Sequence, residues 1–99
     1  MENVKKYRKL IVFAINSPVD KRVVLLKSFN LNIIKTICEI FLNILSKVIT
    51  APPEVVKQLQ KHKQLLYKLA DSKIPLSEKK EALIKCKGEV LTPIKKLIP

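Results

Sequence analysis

The chain has 99 residues, 47% of them hydrophobic and 5% aromatic, with one glycine; eighteen lysines and two arginines outweigh eight acids to give a net charge of +12. That length supports one core and excludes two independent ones, and the shortage of glycine and aromatics favours Leu/Ile/Val-packed helices over a turn-rich sandwich. The charge directs the chain toward polyanions or anionic surfaces, while the scarcity of arginine argues against bidentate reading of guanine edges.

The first element is predicted over Val4 to Ile15, where Val4, Tyr7, Leu10, Ile11, Ala14 and Ile15 share an arc opposite Lys5, Lys6, Arg8 and Lys9. Ile11-Val12-Phe13 also suits a strand. "NSPVDKRVVLLKSF" then restarts the chain: Ser17 is the expected N-cap, Pro18 suits a first helical turn, and Asp20 complements the positive end of a helix from about Pro18 to Ser28.

From about Leu31 to Ile49, the polar residues Lys35, Thr36, Glu39, Asn43, Ser46 and Lys47 occupy roughly a third of the helical circumference. The wide apolar arc predicts a central helix covered on most sides. Ala51-Pro52-Pro53 closes it, and one helix is expected from Pro53 to about Ala70, with Val55, Leu59, His62, Leu66 and Leu69 on one face. "SKIPLSEKKEALIKCKG" supplies a start at Ser77 and a stop at Gly88, and "EVLTPIKKLIP" is interrupted by Pro93. The expected architecture is an all-α, single-domain bundle of about five short helices around the central one, with residues 1–88 as the helical domain and 89–99 as a short apolar and basic tail.

Little in this chain suits catalysis. One glycine excludes a phosphate-cradling loop, and the sole close carboxylate pair, Glu78 and Glu81, lies one turn apart among Lys79, Lys80 and Lys85 as solvated partners. Two cysteines and one histidine make neither a disulfide framework nor a four-ligand zinc site, so no cofactor or metal is expected. Cys38 sits on the apolar arc as a small hydrophobe; Cys86, between Lys85 and Lys87, is an incidental thiol. His62 is expected in the core or at its boundary.

A transmembrane span requires about 20 predominantly apolar residues, and Lys35, Glu39, Asn43 and Lys47 interrupt the most apolar stretch. The start "MENVKKYRKLIVFAIN" has no long apolar region followed by a small-residue cleavage site, so the protein is expected not to be secreted.

The basic faces remain. Residues 1–27 hold seven basic and two acidic side chains and residues 57–87 hold nine and three, whereas 28–56 is balanced. Lys57, Lys61 and Lys68, continued by Lys63, Lys79, Lys80, Lys85 and Lys87, form the expected phosphate-binding set, with sequence-independent and salt-dependent affinity. Tyr7 and Tyr67 are too few for a single-strand stacking platform, so the expected partner is a nucleic-acid duplex, DNA in the first place. A capsid-associated or self-associating module is the alternative. A membrane-surface role for Tyr7 to Ile15 and Val90 to Ile98 is another.

"SPVDKRVVLLKS", "IIKTICEIFLNIL" and "KHKQLLYKLADSKIPLSEKKEALIKCKG", taken in order over about Ser17 to Gly88, resemble the small basic helical proteins of Maverick/Polinton elements and adintoviruses. The features that match are Ser17-Pro18 with Lys21-Arg22, Ile37-Cys38-Glu39, Lys61-His62-Lys63, and Leu76-Ser77 before Lys79-Lys80. The resemblance implies a virus-like or transposon-derived protein, similar to adenovirus core proteins that condense DNA, located in a virion or in the host nucleus or cytoplasm. Such proteins carry a Gly-Gly resembling a protease cleavage site before a long Leu/Gly-rich tail. Here Gly88 is followed by Glu89 and a short lysine-containing tail.

Overall fold

Asn30 opens the most apolar helix: its Oδ1 accepts a hydrogen bond from the Ile33 N–H at 3.0 Å, capping α3 (Leu31–Leu45). The computed structural model describes residues 2–46 and 50–97, and the side chains of 5–46 and 50–94. Its other elements are α1 (Glu2–Asn16), α2 (Val19–Ser28), α4 (Pro53–Gln60), α5 (Lys63–Ala70), α6 (Leu76–Lys85) and a 3-10 helix (Glu89–Leu97). Among the described residues, every regular element is helical.

Helix α3 packs against α1, α5 and α6, and Ile34, Ile37 and Phe41 are fully buried. Each such side chain contributes about 1.5–3 kcal/mol through burial. Thr36, expected on the polar side, is also buried, because its hydroxyl donates to the Asn32 carbonyl at 2.9 Å and needs no water. Cover is incomplete toward the C-terminal end, where Leu42 and Leu45 stay exposed. The expected extension to Ile49 falls on residues 47–49, outside the described residues.

Helix α1 runs through Ile11-Val12-Phe13 without a strand, since Ile11, Ala14 and Ile15 bury one helical face. Ser17 caps nothing that follows. Its hydroxyl donates back to the Phe13 carbonyl at 2.7 Å, and Pro18 takes the N-cap position of α2 without a side-chain hydrogen bond. Arg22 and Leu26 line the inner face of α2, four residues apart.

The single helix expected from Pro53 to Ala70 is two helices. His62, at φ −114° and ψ 27°, leaves the helical region, and its N–H donates to the Leu59 carbonyl at 2.9 Å in a tightened turn. This elbow lets α4 pack on the 3-10 helix while α5 packs on α3 and α6. Helix α6 starts after Pro75, ahead of Ser77. It ends in a Schellman turn: Gly88 N–H donates to the Leu83 carbonyl at 3.0 Å and Lys87 N–H to the Ile84 carbonyl at 2.9 Å, with Lys87 at φ 58° and Gly88 at φ 69°.

The first half of the tail reaches the core; residues 98 and 99 and the side chains of 95–97 lie outside the described residues. Val90, Leu91 and Ile94 are fully buried, and the segment packs on α1 and α4. At residue 88 the chain passes from α-helix to 3-10 helix. Three residues per turn suit Leu91 and Ile94 to a common face, and Pro93 is accommodated within that turn geometry.

Candidate nucleic-acid interface

Helix α5 buries Leu66 and Leu69, which turns Lys63 and Lys68 outward, and the elbow before it exposes Lys61. Across from them, α6 buries Leu83 and presents Lys85. These two walls enclose an open, polar cleft of about 1180 Å³ lined by Lys61, Lys63, Lys68 and Lys85, with His62 and Cys86 beside them. Glu78 and Glu81 also line it. Four lysines against two glutamates leave the cleft net positive, and net charge held in a concave site concentrates counter-ions more strongly than on a flat face.

Lys57 is exposed on α4, opposite the buried Val55 and Leu59, and Lys87 is exposed on the Schellman turn; neither lines the cleft. Two expected lysines do not belong to a free basic face. Lys79 is buried at 6% exposure, and Lys80 is half-buried with its ammonium donating to the Phe29 carbonyl at 2.7 Å. The cause is spacing: steps of three and four from Leu76 through Lys79 and Lys80 to Leu83 put both stems on the inward stripe of α6.

A basic residue outside the expected set has a structural role. Arg22 is 6% exposed; its Nε–H donates to the Lys87 carbonyl at 2.9 Å and its Nη1 to the Thr92 hydroxyl at 3.3 Å, tying α2 to the end of α6 and to the 3-10 helix. The four-residue spacing from Arg22 to Leu26 is the signal for its inward position.

Cys38 is buried, and burial pushes its thiol up to about 11, with Lys79 working against that rise and Glu39 adding to it. At neutral pH it is a protonated packing group. Cys86 is half-buried, and its Sγ lies 3.2 Å from the Leu83 carbonyl oxygen as donor. Among the described residues, no group of three or more His, Cys, Asp or Glu is placed to hold a metal ion.

Tyr67 is 57% exposed, with the Lys63 ammonium 5.9 Å from its ring centroid. It also borders a second concavity of about 680 Å³, a mostly apolar groove formed with Leu45, Val56, Leu59 and Leu66. Among the described residues, no helix is long and apolar enough to cross a membrane. Comparison with protein-family models, curated proteins and solved structures gives no match for this chain.

Proposed function

We propose that this protein is a non-enzymatic binding module that grips nucleic-acid phosphates without sequence specificity, in a virus-like or transposon-derived setting such as a virion core. The observation that carries the reading is the cleft in which Lys61, Lys63, Lys68 and Lys85 converge. Lysines are compact, flexible point charges, suited to a polyphosphate backbone and poorly suited to reading base edges. Lys57 and Lys87 extend the positive surface beyond the cleft. The setting rests on the resemblance over Ser17 to Gly88.

Retention of duplex DNA at low salt tests this reading. Affinity falls steeply from ~50 to ~200 mM salt with little dependence on sequence, and replacing Lys57, Lys61 and Lys68 by glutamine makes the salt slope shallower. Binding that ignores salt, or no binding at low salt, refutes it.

A second reading, as an assembly module, draws support from Leu42 and Leu45, which α3 leaves 44% and 38% exposed. Concentration-dependent mass in light scattering, with no retention of DNA, favours that reading over the first.

A further inference from the structure

Helix α1 buries Ile11, Ala14 and Ile15 and turns a different kind of face outward. There Phe13 is 61% exposed and Leu10 is 47% exposed, three residues apart and thus neighbours on the helix surface. Lys6 lies one turn before Leu10 and Lys9 one turn before Phe13, with Lys5 alongside; all three are exposed. No acidic residue occurs between Glu2 and Asp20. Helix α2 repeats the pattern in smaller form, with Val24 66% exposed and the exposed Lys21 and Lys27 three residues to either side.

A nucleic-acid backbone offers Phe13 and Leu10 no apolar partner. A second copy of the chain would bring two of these lysine-rimmed faces together in a protein already at +12. A bilayer interface with anionic headgroups supplies both requirements at once: acyl and glycerol surface for the rings and branched chains, and negative charge for lysines whose stems lie along the apolar side chains. In the 3-10 helix, the other segment with this composition, Val90, Leu91 and Ile94 are committed to the core.

We propose that the outward face of α1 docks on anionic lipid surfaces, with Leu10 and Phe13 entering the headgroup–acyl boundary and Lys5, Lys6 and Lys9 meeting the headgroup charges. This contact lies beyond the proposed nucleic-acid function and uses none of the cleft residues. It is peripheral, since α1 lies on the surface of a folded bundle.

The chain contains no tryptophan, so Phe13→Trp gives a single reporter at the centre of the face. With phosphatidylcholine vesicles containing phosphatidylserine, its emission shifts to the blue and is quenched by brominated acyl chains; with phosphatidylcholine alone it does neither. Leu10→Ser/Phe13→Ser lowers co-sedimentation of the full chain with the anionic vesicles by about tenfold or more, while its helical circular dichroism and its duplex-DNA affinity stay unchanged. Lys61→Gln/Lys68→Gln leaves vesicle binding within about twofold.

Four results overturn the proposal. They are unshifted emission from the vesicle-bound Phe13→Trp variant, equal sedimentation of the double serine variant, vesicle binding abolished through the cleft lysines alone, and a concentration-dependent blue shift without lipid, which assigns the face to a second copy.

Discussion

Replacing Gly88 by alanine probes the junction that holds the two basic regions together. Gly88 has φ 69°, and a β-carbon there would lie 2.9 Å from Cδ and 3.2 Å from Cγ of Arg22, and 3.1 Å from Leu26 Cδ1. The left-handed backbone alone costs a β-carbon about 1 kcal/mol. The contact also forces Arg22 to move, and hydrogen bonds from a charged group to a carbonyl such as that of Lys87 are worth about 1.5–3 kcal/mol. The expected loss is about 2–4 kcal/mol, a large share of the roughly 5–15 kcal/mol that holds a domain folded.

Urea unfolding followed by far-ultraviolet circular dichroism measures it: with a slope of roughly 1–2 kcal/mol per molar, the midpoint drops by roughly 1–4 M. Lys87→Gly is the counterpart. Lys87 sits at φ 58° in the position where helices favour glycine, so removing its side chain gains up to about 1 kcal/mol. A Gly88→Ala variant within about 0.5 kcal/mol of the parent, together with a destabilised Lys87→Gly, refutes the turn geometry and the placement of Arg22.

Other perturbations separate structural groups from binding groups. Asn30→Ala removes the cap of α3 and costs about 1 kcal/mol in the same unfolding assay. Lys80→Ala removes the ammonium bonded to the Phe29 carbonyl; it lowers stability and leaves the salt dependence of DNA binding unchanged, in contrast to any cleft lysine. Glu78→Gln/Glu81→Gln raises DNA affinity at low salt, because it removes the negative charges that face the phosphates in the cleft. Alkylation labels Cys86 in the folded protein, and Cys38 only after unfolding. The folded Cys38 keeps its proton to about pH 11, whereas an ordinary thiol ionises near 9.0, so stability present below pH 9 is lost progressively between pH 9 and 11, by up to about 3 kcal/mol. Subtracting the profile of Cys38→Ala isolates that contribution, and a flat difference refutes the burial argument.

The helical nature of α1 and α3 was legible because their apolar spacing repeats with the helical period, despite the strand-like Ile11-Val12-Phe13 in α1, and that of α2 because Pro18 and Asp20 mark its start. The packing of α3 against three other helices follows from the width of its apolar arc. The elbow at Lys61-His62 was not legible: no glycine or proline marks it, and the bend serves packing against two different partners, a tertiary effect. The burial of Val90, Leu91 and Ile94 was missed because Pro93 breaks the 3.6-residue pattern, while a 3-10 helix still aligns Leu91 with Ile94.

Charge patterning misled in a specific way. Lys79 and Lys80 stand in "SEKKEA", which looks solvent-facing, yet their spacing from Leu76 and Leu83 already puts them on the inner stripe. Arg22 obeys the same rule through Leu26 and Phe29. The convergence of Lys61, Lys63, Lys68 and Lys85 needed the packing of α5 on α6, which no local pattern contains.

The central claim is that the cleft lysines grip phosphates, and the most direct test is the slope of log affinity against log salt for duplex DNA with the parent chain and with Lys61, Lys63, Lys68 and Lys85 all changed to glutamine. Each phosphate contact contributes about −0.9 to that slope, so losing four contacts makes it shallower by roughly 3 to 4. Parent affinity itself falls by at least roughly a hundredfold between ~50 and ~200 mM salt. An unchanged slope in the quadruple variant, with its helical fold intact, contradicts the assignment of the cleft.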